Sequence, residues 1–127
     1  MPDPFKSLAD LVQKSVARYA GNPLFGTRGA NGDWTYTTYG EFGTLVDDFR
    51  GGLASVGIGA GDRVEIISDN RVEWAVTAYA TYTLGACIVP MYEKQNADDW
   101  RFIVRDSGAK VLCVASDKVA GRAAALV

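Results

Sequence analysis

The sequence predicts an α/β protein: an N-terminal helix and a β-hairpin, followed by a doubly wound, mainly parallel sheet. Three observations predict it. From about residue 62 onward the chain alternates strand, helix, strand, helix, strand, helix, an order that calls for parallel strands joined by right-handed crossovers. The runs 86–90 (ACIVP) and 110–115 (KVLCVA) are apolar without alternation, as suits strands covered on both faces. Upstream, Asn31-Gly32 separates the extended runs 24–28 (LFGTR) and 33–37 (DWTYT). That is a hairpin signature, because both residues tolerate positive φ.

The elements follow in order. Asp3 as N-cap and Pro4 at the first helical position open a helix over 4–20, because proline lacks only an N–H that is unpaired there anyway. Phe5, Leu8, Leu11, Val12, Val16 and Tyr19 recur at helical spacing, and Gly21 ends the run. After the hairpin, Thr38 and Glu41 are spaced as a capping box. They introduce a helix over 39–56 with Phe42, Leu45, Val46, Phe49, Leu53 and Val56 on one stripe and Gly57 as a left-handed cap. The run 63–68 (RVEIIS) is a strand rich in β-branched residues. Asn70 caps a helix that starts at Arg71, runs through Leu84 and is stopped by Gly85, with little polar face, which predicts burial. Asn96 caps a helix bearing Trp100, Ile103 and Val104 that ends at Gly108, and Ser116 or Asp117 caps a last helical segment running to Val127. Its end, Ala-Leu-Val without a capping glycine or a polar tail, is what a truncated chain leaves.

Composition narrows the function. A chain of 127 residues with 48% apolar content is one domain's worth and can build a core. A net charge of −2 without a clustered basic face gives no case for nucleic acid. There is no histidine, which removes histidine-based general bases, triads and metal sites. Cys87 and Cys113 match no zinc spacing and read as two small buried hydrophobes rather than a disulfide or redox pair. The N-terminus lacks a signal-peptide apolar region, and Gly85 and Pro90 interrupt the longest apolar stretch. A soluble chain from a reducing, cytoplasmic compartment is expected.

The chemistry-bearing positions are few. In an open α/β sheet, ligands bind beyond the carboxyl ends of the strands. Those ends are Ser68-Asp69-Asn70, Pro90-Met91-Tyr92-Glu93 and Ala115-Ser116-Asp117. Helix capping by Asn70 and Asp117, with solvation of Asp69 and Glu93, accounts for them without a ligand. The glycines of 57–62 (GIGAGD) follow a helix and precede a strand, the reverse of a dinucleotide-binding fingerprint. Asp47 and Asp48 are adjacent on a helix and cannot work as an acid/base pair. Asp98 and Asp99 fall in a first helical turn, where the helix dipole accounts for them. Trp74, Tyr79, Tyr82 and Trp100 read as core rather than as a stacking platform. No catalytic and no metal-ligating residue is expected, and no cofactor-binding residue is assigned.

Three segments taken together resemble the adenylate-forming, AMP-binding superfamily, and within it the long-chain acyl-CoA synthetases (fatty acid–CoA ligases). They are 24–43 (LFGTRGANGDWTYTTYGEFG), 61–93 (GDRVEIISDNRVEWAVTAYATYTLGACIVPMYE) and 99–117 (DWRFIVRDSGAKVLCVASD). The resemblance covers nearly the whole chain and rests on colinear packing motifs, with GTR followed by W-T-Y pointing to the long-chain branch. It implies that residues 1–127 are the N-terminal part of the large adenylation domain. The complete enzyme would join a fatty acid to CoA through an acyl-adenylate, using ATP and Mg²⁺ and releasing AMP and pyrophosphate. The family's phosphate loop, adenine-binding segment, hinge and C-terminal lysine have no counterpart here, so the chain alone is expected to be inactive and to bind no cofactor. In short-chain relatives, basic residues beyond the strand equivalent to 110–115 contact the nucleotide end of CoA. Lys118 and Arg122 occupy that neighbourhood, with ordinary surface charge as the alternative. A homodimer through the first helix and peripheral membrane contact are compatible with the resemblance. The alternatives are a non-catalytic interaction or dimerisation module and another adenylate-forming enzyme. A receiver-like signalling domain is disfavoured, because Asp69 has no acidic partner cluster.

Overall fold

The computed structural model describes residues 4–126. Helix α1 spans Leu8–Tyr19, shorter than the predicted 4–20, and its N-cap is Ser7, whose hydroxyl accepts from the Asp10 amide at 3.0 Å. The predicted cap Asp3 lies outside the described residues, and Pro4 precedes the helix. Ser7 wins because its hydroxyl satisfies an otherwise orphaned N–H of the first turn. Strands β1 (Pro23–Arg28) and β2 (Trp34–Thr38) pair antiparallel, as predicted. Arg28 pairs with Trp34, so the connection is the longer loop 29–33. Within it only Gly32 takes positive φ, at 89°, while Asn31 does not. Helix α2 (Tyr39–Ser55) carries the complete Thr38/Glu41 capping box, and Gly57 follows at φ 91°.

The parallel sheet comprises β3 (Arg63–Ile67), β4 (Cys87–Met91) and β5 (Val111–Val114), in spatial order β4-β3-β5. Both pairings are parallel, with Ile67 opposite Met91 and Val114. Helices α3 (Val72–Thr83), α4 (Ala97–Ser107) and α5 (Asp117–Ala123) alternate with the strands, and a 3₁₀ turn closes the described chain at Ala124–Leu126. Asn96 caps α4 and Ser116, not Asp117, caps α5. Gly108 ends α4 in the left-handed conformation. Two sequence expectations fail here. Asn70 does not cap α3: the N-cap is Arg71, with no side-chain hydrogen bond. Strand β4 is not covered on both faces, since Cys87 and Pro90 are exposed. It is an edge strand of this sheet, where a proline costs no ladder bond.

Each face of the sheet has its own core. On one face Val64 packs with Val12, Phe42, Val46, Leu53, Val76 and Ala80 from α1, α2 and α3 and with Ile58 from the α2–β3 turn. An aromatic chain links hairpin to helices: Phe25 to Phe42 at 5.3 Å, Phe42 to Tyr79 at 5.9 Å, and Tyr79 to Tyr82 at 5.5 Å, all edge-on. On the other face Ile67 and Met91 pack with Trp100, Val119, Ala123 and Leu126 from α4, α5 and the last turn. Odd spacing between Val64 and Ile67 puts them on opposite faces. Leu45 and Val56, placed on the apolar stripe of α2 by periodicity, are exposed, as are Phe5, which precedes α1, and Leu8 at its start.

Candidate functional site at the carboxyl edge of the sheet

Strand β3 hands over to α3 on one face of the sheet, and its neighbour β4 hands over to α4 on the other. Adjacent strands whose connections leave in opposite directions open a crevice at their carboxyl ends. The structure places a cavity of about 560 Å³ there. Ser68, Asp69 and Asn70 from β3 and Pro90, Met91, Tyr92 and Glu93 from β4 line it, joined by Trp74 and Lys94. Two of the three predicted strand ends therefore meet in one site. The third, at β5, stands beside it and is tied in by Arg71. That side chain donates from Nε to Asp69 Oδ1 at 2.6 Å and from Nη1 to the Ala115 carbonyl at 3.0 Å.

The ion pair sets the local charge. Hydrogen bonding to Arg71 holds the Asp69 carboxyl below its usual range, and the same contact pushes the Arg71 guanidinium up. Both groups stay ionised near neutrality and neutralise each other. That leaves half-buried Glu93 and exposed Lys94 in the lining, beside apolar walls from Trp74, Pro90 and Met91. Such a site can hold an uncharged or apolar moiety and hydrogen-bond its edges. A triphosphate needs converging cations or a run of backbone N–H groups, and these walls offer one free-standing lysine. Magnesium needs several oxygen ligands with carboxylates among them. Among the described residues no three His, Cys, Asp or Glu side chains converge, and Asp69 is already engaged. Nucleotide and metal ion do not fit these residues alone.

The loop 92–96 forms the outer wall and is held from behind. Trp100, fully buried, donates its indole Nε1–H to the Tyr92 carbonyl at 2.9 Å. Arg122 donates to the carbonyls of Glu93 at 3.0 Å and Gln95 at 2.9 Å, with its guanidinium 4.2 Å from the centre of the Trp100 ring. Lys118 stays exposed on the first turn of α5. Asp47, Asp48, Asp98 and Asp99 are exposed, as expected. The glycines of 57–62 form the α2–β3 turn, where the Asp62 carboxylate accepts from the Gly59 amide at 2.8 Å and pairs with Lys110 at 2.9 Å. Both cysteines are free thiols. Cys113 is half-buried, which pushes its thiol up, but Cys87 is exposed rather than buried, because β4 lies at the sheet edge.

Sequence reasoning missed three residues. Arg71 reaches a strand end 44 positions away, a contact that no local pattern announces. Trp74, read as core, is half-buried and lines the cavity. Glu65 is 1% exposed on the central strand, where it accepts from the Ser107 hydroxyl at 2.5 Å. Its lone position inside RVEIIS was the available signal.

Residues 12–126 match the model of a family described as AMP-binding enzyme. The chain belongs to the AMP-binding enzyme family. Among curated relatives, it is 40% identical over 96 residues to the long-chain-fatty-acid–CoA ligase FadD15 of Mycobacterium bovis, covering 76% of this chain and 16% of that protein. It is 30% identical over 125 residues to long chain acyl-CoA synthetase 4 of Arabidopsis thaliana, covering 93% and 19%. Among solved structures, the inhibitor-bound N-terminal domain of FACL13 from Mycobacterium tuberculosis superposes with a TM-score of 0.80 at 25% identity, over 95% of this chain and 28% of that one. The chain therefore spans less than a fifth of each of these two curated family members. The similarity to adenylate-forming enzymes and to the long-chain branch agrees with the expectation from sequence, and so does the parallel pairing of the three core strands.

Proposed function

We propose that these residues are the N-terminal scaffold of the adenylation domain of a long-chain fatty acid–CoA ligase, an acid–thiol ligase that works in the cytoplasm. The full protein would convert fatty acid, ATP and CoA to acyl-CoA, AMP and pyrophosphate with Mg²⁺. The carrying observation is the family match over 12–126, joined to relatives named for long-chain fatty acids. The site's chemistry supports a division of labour: the carboxyl edge supplies walls, and the groups that grip phosphate and metal come from outside these residues. Two free thiols suit a reducing compartment. Among the described residues no helix is long and apolar enough to cross a membrane.

ATP–pyrophosphate exchange with palmitate and Mg²⁺ tests the reading. The chain alone should show exchange at background, and a chimera carrying it in place of the matching segment of the FadD15 ligase should exchange and form palmitoyl-CoA. Exchange by the chain alone, or a folded chimera without activity, overturns it. Exposure of Phe5 (52%) and Leu8 (50%) favours a second reading, an association module pairing through α1. A monomer by light scattering at about 100 µM would remove that reading, since even weak pairs populate at such concentrations.

A further inference from the structure

Arg122 sits in the second turn of α5, remote in sequence from the cavity it serves. We propose that Arg122 is a positioning residue that fixes the outer wall of the carboxyl-edge site, loop 92–96, and does not contact ligand itself. Its use for catalysis rests on the function proposed above; its structural action does not.

The loop has few bonds of its own. Gln95 closes it locally, accepting the Tyr92 amide on its side-chain oxygen at 3.0 Å and returning its own amide to the Tyr92 carbonyl at 3.3 Å. The carbonyls of residues 92, 93 and 95 all point back to side chains of α4 and α5. Arg122 takes two of them with one planar fork, which is the geometry a guanidinium offers and an ammonium does not. The guanidinium also lies over the Trp100 ring, a cation–π contact that restrains the fork. Trp100 is itself bonded to the third carbonyl, so guanidinium, indole and loop form one assembly. With its carbonyls turned inward, the loop presents the side chains of Tyr92, Glu93 and Lys94 to the cavity. Each terminal nitrogen of Arg122 donates to a loop carbonyl, and Arg122 is not among the residues that line the cavity.

The test is amide and indole hydrogen exchange by NMR on the ligand-free chain, comparing wild type with Arg122→Lys and Arg122→Met. Methionine keeps an apolar stem over Trp100, and lysine keeps the charge. The expectation is roughly tenfold faster exchange at amides 92–96 and at the Trp100 indole N–H in both variants, with α1–α2 amides unchanged. Lysine failing to rescue marks the fork rather than the charge as the active feature. Wild-type exchange at these positions in Arg122→Lys overturns the proposal, as does uniform acceleration over the whole chain in both variants. A failed ATP–pyrophosphate result in the chimera would overturn the proposed function and leave this readout standing.

Discussion

The two faces of the sheet are built differently. The α1–α2–α3 face is held by interdigitated apolar side chains and a chain of edge-on aromatics, with helices close enough that an added Cβ at Gly43 would lie 2.6 Å from Val16 Cγ1. The α4–α5 face has a smaller core around one tryptophan and depends on directed bonds. Ser107 donates to Glu65, the Arg63 side chain donates to the Ser107 carbonyl, Trp100 bonds loop 92–96, and Arg122 clamps it. The difference teaches where the site belongs. The wall of the cavity is part of the second face's bonding, and none of the bonds that hold it comes from the first face.

Trp100→Ala breaks the comparison hardest. It removes the centre of the smaller core and the tie to Tyr92, and should cost about 3–5 kcal/mol. Urea unfolding measures the loss, and native-state exchange should show α4 and α5 opening while α1–α3 stay protected. A uniform loss of protection would mean that the two faces are one cooperative unit. Gly43→Ala attacks the other face. Val16 is β-branched and stiff, so α1 must shift away from α2, at about 1–3 kcal/mol, and here α1 should lose protection while α4 keeps it.

Glu65→Gln has the smallest effect and sharpens the polar side of the contrast. Burial raises the Glu65 carboxyl above its ordinary value, and the Ser107 hydroxyl opposes that only in part. A raised acid favours the protonated folded state. Its contribution is therefore fully present below the unfolded value of about 4.3 and fades as pH rises through the folded value. Glutamine, neutral throughout, should match wild type in acid and gain on it toward neutral pH, by on the order of 1 kcal/mol or less. Asp62 works in the opposite sense: Lys110 and the Gly59 amide lower its carboxyl, so its contribution is lost as pH falls. A variant whose advantage over wild type shrinks as pH rises would show that Glu65 is charged and stabilised in the fold.

Most of the fold was legible because its signals are local. The Thr38/Glu41 box, the caps at Asn96 and Ser116, and the left-handed glycines 57, 85 and 108 act within a few residues of themselves. Local signals also misled where two candidates competed. Periodicity put Leu45 on the buried stripe, although α1 and α3 cover the helix beside it. Asn70 looked like a cap, but the extended Arg71 is the last residue before the helical backbone.

By itself the sequence determined the order of elements, the parallel sheet and the family, because periodicity, capping and turn preferences are properties of neighbouring residues. Only the tertiary structure decided how the carboxyl edge is assembled. Arg71 meets Ala115 across 44 positions, Ser107 meets Glu65 across 42, and Arg122 meets Glu93 across 29. Hydrogen bonds of that span exist only after the crossovers have brought strand ends and helices together, and nothing in the flanking residues of either partner specifies them.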